Sequence, residues 1–480
     1  MRMIKKMWTK YNNLPEAVKA SIWFVIASIV QKGIAFFTTP IFTRIMSTED
    51  YGTFAVYQSW YSIVLIFTSL NLAGGVFNNG MTKYPEERDE FLSSLLGLTT
   101  VITTVVFFLY LVFQDYVNSV FSLDTPYILF MFLQLLFEPS FLLWSAKLRF
   151  EYKYKSLIFV IILIAILTPT TSVICVLLAH DRALARVASV VLVQVCIYFI
   201  IYILVFIRGK SFINRRYWKY ALAFNIPLIP HYLSMTILNQ SDRLMIQEFC
   251  GKRYVAIYSV AYSLSMLMTI VTSAINSSFI PFIYKKMKSE EMGRIRTVSF
   301  LLTIIMAGFS ILPVFLGPEL IAILASSGYK EAVWIIPPVS CSVFFIFLYN
   351  LFGTIEFYYE KNKFIMLASV IGAALNVLLN YIFIPKFGFV AAGYTTLFCY
   401  ILFSVAHFLF ACKILRDNKI KELPFDIKKL MCVSVAVLIA MFGLTILYNY
   451  LIIRFVLFCC MVIAFCVKSK SIIQLYKNIR

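Results

Sequence analysis

The chain has 480 residues, of which 61% are hydrophobic and only 14% charged, and its formal net charge is +20. Soluble domains are roughly 45–50% apolar and about 25% charged, so a water-soluble fold is excluded and the bilayer is the expected solvent. The basic balance does not indicate nucleic acid, because the cations fall in alternate short loops between apolar runs, as membrane topology requires.

A span needs about twenty mostly apolar residues to cross roughly 30 Å of hydrocarbon. Such runs occur at 20–43, 54–78, 91–113, 126–146, 156–180, 185–207 and 217–239. They continue at 254–282, 297–317, 332–356, 363–385, 389–411, 429–448 and 450–467, the last two being the shortest. The expectation is an all-α integral membrane protein of about 14 transmembrane helices. Basic residues precede the first run, but that run is too long for a cleaved signal and no small-residue cleavage site follows, so it reads as a retained span. The ten cysteines form no CxxC, and His180, His231 and His407 are scattered, so neither a zinc site nor a disulfide framework is expected.

Lysine and arginine orient the spans. With the N-terminus in the cytoplasm, Lys147–Lys155, Arg208–Lys219, Lys285–Arg296, Lys413–Lys429 and Lys468–Arg480 all fall inside and hold most of the 43 cations. Few, among them Arg44, Arg182, Arg186, Arg243 and Arg454, fall outside. An even span count with both termini cytoplasmic follows. A weak repeat accompanies this pattern: Thr43-Arg44 leads to Phe54–Tyr57, and Asp242-Arg243 leads to Ile257–Tyr262. Spans 1–6 and 7–12 start on the same side, as parallel repeats would. The expected divisions are a six-helix lobe at 1–210, a second at 211–412, and an added helix pair with a tail at 413–480.

At these residues the sequence resembles the polysaccharide transporter family, whose members flip undecaprenyl-linked oligosaccharides in bacteria. The resemblance rests on three stretches. The first runs from Lys32-Gly33 through Pro40–Arg44 to Glu49–Gly52. The second runs from Asn239–Arg243 through Gly251 to Ala256–Tyr262. The third runs from Asn376 and Asn380 through Ile384-Pro385 and Gly388 to Ala391–Gly393. It implies two six-helix bundles around a central cavity, the fold of multidrug exporters and lipid II flippases. It also implies a lipid-linked oligosaccharide on an undecaprenyl pyrophosphate carrier as substrate, for O-antigen, capsule or a similar glycan. Membrane lipids, a polysaccharide polymerase and glycosyltransferases would be the partners, and the bacterial cytoplasmic membrane the location.

Several residues within the spans could carry this work. Lys32 lies twelve residues into span 1, near mid-membrane, where an unpaired charge is costly; it either attracts pyrophosphate or pairs with a buried carboxylate. Glu138, with Gln134 one turn away, forms a polar stripe in span 4 that binds a coupling proton, pairs with Lys32 or packs. Arg44 and Arg243 occupy corresponding outer ends of spans 1 and 7, and guanidinium suits phosphate. Asn225 and His231 flank Pro227 and Pro230, which break span 7. Tyr258 and Tyr262 either stack on sugar rings or pack. Asn376 and Asn380 fit inter-helix bonds. No Walker motif occurs, so no nucleotide or other cofactor is expected. Two rivals remain: an ion-coupled multidrug exporter of the same fold, and a membrane-embedded polysaccharide polymerase or ligase.

Overall fold

A computed structural model describes residues 15–420, 422–461 and 463 of the chain, and for Lys32 its backbone but not its side chain. The described residues fold as helices: α1 Glu16–Ile45, α2 Thr48–Ser69, α3 Val76–Lys83, α4 Arg88–Val112, α5 Gln114–Phe121 and α6 Thr125–Phe150. They continue with α7 Tyr154–Leu178, α8 Arg182–Gly209, α9 Arg215–Asn225, α10 Ile229–Cys250, α11 Lys252–Lys288 and α12 Met292–Phe315. The remainder are α13 Gly317–Leu324, α14 Ile336–Tyr358, α15 Asn362–Phe387, α16 Val390–Asp417, α17 Ile427–Ile446 and the short α18 Leu451–Met461. Among the described residues, 12 helices are long and apolar enough to cross a membrane, counting α9 and α10 as one. The chain is therefore an all-helical, multi-pass membrane protein. It divides into two compact units, Met1–Ser241 and Asp242–Arg480.

Two of the fourteen expected runs are not among the twelve. The run at 54–78 is broken. Its helix α2 starts earlier, at Thr48, where Ser47 and Asp50 close a capping box, and it carries Glu49, Asp50, Gln58, Ser59 and Ser62. It stops at Ser69, where Leu70 and Asn71 take φ of 48° and 47°, and Val76 opens the separate helix α3. The run at 450–467 is described only as α18, with the rest of it outside the described residues. Span 7 is interrupted as its prolines require: a 3₁₀ turn at Ile226–Leu228 separates α9 from α10.

Side-chain caps set several helix starts. Asp181 accepts from Leu184 N at 2.9 Å, and Asn214 accepts from Arg216 N at 3.0 Å. The turns gather at helix ends in two sets. At one end of the first unit, Arg182 donates to the Ile45 carbonyl at 2.6 Å and Tyr127 to Asp181 at 3.3 Å. At the other end, Lys147 pairs with Asp89, Arg216 with Glu87 at 3.4 Å, and Asn214 donates to Glu90 at 3.0 Å. Below this second set, Leu72, Phe77, Met81, Phe91, Leu95 and Tyr217 form a buried core that ties α3, α4 and α9 together. In the second unit Arg253 faces Glu331 at 3.8 Å, and at the opposite end Arg296 donates to the Leu423 carbonyl at 2.7 Å. Within that unit α14 and α16 pack most extensively.

Candidate functional site

Each unit carries a hydrogen-bonded polar network inside its spans. In the first, Glu138 and Gln134 lie one turn apart on α6. Tyr61 of α2 donates to Glu138 Oε2, and Gln134 Nε2 reaches the same oxygen at 3.2 Å. Gln134 also accepts from Tyr57 at 3.0 Å and donates to Gln194 of α8 at 2.8 Å. The Tyr57 and Tyr61 rings stack, with centroids 6.3 Å apart. Ser59, on the same helix, bonds Gln240 of α10 at 3.2 Å. Two uncharged donors, from α2 and α6, thus meet one carboxyl, Gln194 of α8 accepts from one of them, and Glu138 itself remains half-buried. Polar groups in hydrocarbon are expensive unless they face protein or water, so this cluster marks an interior or wetted surface.

The second network centres on Asp242 of α10, which is 1% exposed. It accepts from Tyr258 of α11 at 2.5 Å, from Asn380 of α15 at 2.7 Å and from Thr396 of α16 at 2.8 Å. Asn376 supports both sides, donating to Thr396 at 3.2 Å and accepting from Asn380 at 3.3 Å, while Thr395 donates to Asn380. Thr395 also lines an apolar groove of about 570 Å³ together with Phe383, Phe387, Tyr394 and Phe398. Tyr258 and Tyr262 stack 5.9 Å apart, like Tyr57 and Tyr61. The sequence echo between Phe54–Tyr57 and Ile257–Tyr262 therefore coincides with one recurring arrangement: a stacked tyrosine pair, one of whose hydroxyls donates to a carboxyl.

The other expected site residues are spread through the fold. Arg44 is exposed at the end of α1 and donates to the Pro40 carbonyl of its own helix at 2.8 Å. Arg243 is buried; its Nε bonds Ser259 at 3.2 Å and its guanidinium lies 4.6 Å from the Tyr262 ring centre. His231 is half-buried beside Tyr232. Asn225 is fully buried: its Nδ2 donates to the Leu70 carbonyl at 2.7 Å and its Oδ1 accepts from Val76 N at 2.9 Å. It bridges the break between α2 and α3. The side chain of Lys32 lies outside the described residues, and the partners recorded for Glu138 are Tyr61 and Gln134.

Sequence reasoning missed three constellations. Arg186 of α8 is buried with its guanidinium 3.9, 4.0 and 4.7 Å from the rings of Phe54, Phe42 and Tyr51. Arg454 of α18 is 2% exposed and makes a two-pronged pair with Glu319 of α13 at 2.5 and 2.6 Å. Its partner holds the Glu319 carboxyl below its ordinary value through that hydrogen bond. Glu356 of α14 and His407 of α16 form a buried pair at 2.8 Å. The available signal was the same in each case, a charged or titratable residue set in an apolar run, but nothing in the sequence pairs residues 50 to 140 positions apart.

The family described as polysaccharide biosynthesis protein matches residues 17–287, and the MatE family matches residues 227–382. A protein of the Lsg locus of Haemophilus influenzae is 24% identical over 380 residues, covering 75% of this chain and 89% of its own length. The solved structure of the lipid II flippase MurJ in an inward closed conformation is similar with a TM-score of 0.69 and 16% identity, over 94% of this chain and 100% of that one. An inward-facing multidrug resistance MATE family transporter of the MOP superfamily is similar with a TM-score of 0.60 and 11% identity, over 84% and 99%. At these identities the likeness establishes a shared MOP-type fold. With more than half of its length matched, this multi-pass membrane chain belongs to the polysaccharide biosynthesis protein family.

Proposed function

We propose that the protein is a flippase that moves an oligosaccharide repeat unit on a polyprenyl pyrophosphate carrier across the bacterial cytoplasmic membrane. The observation that supports this reading is the joining of polysaccharide-biosynthesis membership to a fold shared with a lipid II flippase and MATE transporters. The polar networks around Glu138 and Asp242 add to it, since ionisable groups within membrane helices accompany transport paths. In this reading both termini are cytoplasmic, and the halves at 1–210 and 211–412 act as repeats in an alternating-access cycle. The headgroup is exposed first inside and then outside while the polyprenyl tail stays in lipid. Lys32, Arg44 and Arg243 attract phosphate, Asn225, His231, Tyr258 and Tyr262 belong to the substrate path, and Glu138 with Gln134 serves ion coupling. O-antigen or capsule repeat units are the glycans in view.

Deletion of the gene tests the reading. Lipid-linked repeat units should accumulate with their headgroups on the cytoplasmic side, where an added impermeant glycosidase spares them in intact spheroplasts. Accumulation of unpolymerised units on the outer side would instead assign the chain to polymerisation.

A further inference from the structure

Glu356 and His407 take no part in either polar network. Glu356 is fully buried near the end of α14, and His407 of α16 is 2% exposed. Nδ1 of the imidazole lies 2.8 Å from Oε1 of the carboxyl. The second oxygen, Oε2, is buried and has no hydrogen-bond partner. Rings close the site: the centres of Tyr349, Phe364 and Phe403 lie 5.6, 5.6 and 5.8 Å from the imidazole. Gly353, one turn before Glu356, faces the imidazole; a Cβ there would sit in ordinary contact, 3.9 Å from Nδ1.

Among the described residues His407 is the titratable group hydrogen-bonded to Glu356, and Tyr349 is the titratable ring against His407. The helices packed on α14 present Tyr284 of α11 to Tyr358, and Phe425, before α17, to Phe352. Among the cations of these helices Lys286 pairs with Glu291, Arg296 with Glu422 and Lys429 with Asp426, and the turn after α14 carries Glu360, Lys361 and Lys363.

Proton counting then limits the states of the pair. With no proton it would bury a net negative charge, and with two a net positive one; both are costly away from water. With one proton it is neutral, whether written as acid and imidazole or as carboxylate and imidazolium. The shared proton lies between Oε1 and Nδ1, carried by Oε1 in the acid form and by Nδ1 in the ion pair, while Oε2 stays an unpartnered acceptor. Glu356 lies within one turn of the end of α14, where the Lys361 N–H bonds its carbonyl at 2.9 Å before α15 begins.

We propose that Glu356 and His407 form a proton-binding site of the second unit, occupied by one shared proton while buried and emptied when water reaches it. The proton comes from the adjacent aqueous phase and returns to it, with no other bond made or broken. The binding step stands on the geometry alone; the emptying step rests on the transport reading.

Full-length protein in vesicles of phosphatidylethanolamine and phosphatidylglycerol, examined by infrared difference spectroscopy between acid and alkaline buffer, tests binding. The expected result is a buried carboxylic C=O band that is lost in Glu356→Gln, shifted in His407→Gln and retained in Glu138→Gln. Where Glu356→Gln does not accumulate in the membrane, the shift in His407→Gln carries the same test. A spectrum unchanged in both variants overturns the site. Export by well-expressed Glu356→Gln should also lose its response to the pH gradient, and a full response overturns the emptying step. If deletion of the gene leaves glycan export intact, the flippase reading fails while the infrared result still stands.

Discussion

Asn225 offers the sharpest structural test, because both ends of its amide are committed to backbone groups. Its amide caps the first N–H of α3, at Val76, and simultaneously takes up the carbonyl of Leu70 past the end of α2. Both groups belong to helix ends with no partner inside their own helix. Asn225→Ala leaves one buried donor and one buried acceptor orphaned, at about 1–3 kcal/mol each, so a loss of about 2–6 kcal/mol is expected before any water enters the vacated space. Gly75 provides the cross-check. An ideal Cβ there would lie 2.5 Å from Asn225 Oδ1 and 2.9 Å from Nδ2, so Gly75→Ala must displace the amide. With the amide removed, that clash disappears. Gly75→Ala should therefore cost much less in the Asn225→Ala background than in the wild type, with a coupling of about 0.5–3 kcal/mol for such directly contacting residues. Thermal unfolding of the purified protein in detergent, followed by loss of the monodisperse chromatographic peak, measures all four variants. Equal costs of Gly75→Ala in the two backgrounds would refute the bridging geometry.

Three further outcomes follow from named contacts. Glu319→Gln strands the buried Arg454 and should lower stability by about 3–5 kcal/mol near neutral pH. The Glu319 carboxyl is held below its ordinary 4.5 by the Arg454 hydrogen bond; its contribution is thus present above that value and fades as pH falls through the lower folded-state value. Wild type and variant should converge only in that acid window, and a constant gap in thermal midpoint would count against the pair. Arg186→Lys replaces a planar cation among three rings with a compact one and should cost about 1–2 kcal/mol, measurable against an exposed control, Arg44→Lys. Glu138→Gln keeps an acceptor for Tyr61, so membrane levels should match the wild type while Tyr61→Phe lowers stability; a severe folding defect in Glu138→Gln would show that the charge itself holds α2 to α6.

Much of the architecture was legible because hydropathy is a local property. Twelve of the runs read from the sequence are helices apolar enough to span, and the prolines of span 7 announced the turn at Ile226–Leu228. The break after Ser69 was not legible. Leu70 and Asn71 in the left-handed region are held there by Asn225, some 150 positions away, and neither residue is a glycine that would flag the turn. The polar stripe Gln134–Glu138 was visible as a spacing of one turn, whereas its partners Tyr61, Tyr57 and Gln194 come from other helices. Asp242 was noticed only as a neighbour of Arg243. Its importance lies in the convergence of Tyr258, Asn380 and Thr396, which three different helices supply.

The two networks differ in a way that bears on how each unit works. Asp242 accepts from three donors on three helices, and Asn376 and Thr395 brace those donors in turn. Sliding α10, α15 or α16 breaks several of these bonds, and sliding α11 breaks that of Tyr258. Glu138 accepts from Tyr61 and Gln134, stays half-buried, and lies on the same helix as one of its two donors. The contacts that would have to break for α6 to shift against α2 are therefore fewer, those of Tyr61 and Tyr57. The stacked tyrosine pair is common to both units, so the difference does not come from that device; it comes from the asparagines and threonines that the second unit adds around it. A carboxyl tied to four helices acts as a fixed joint, and one tied across a single helix pair by one tyrosine hydroxyl can exchange a partner at lower cost. Replacing Asn380 with alanine should accordingly lower the thermal midpoint more than Gln194→Ala does, because it removes a donor to the carboxyl itself, whereas Gln194 only accepts from the neighbouring Gln134.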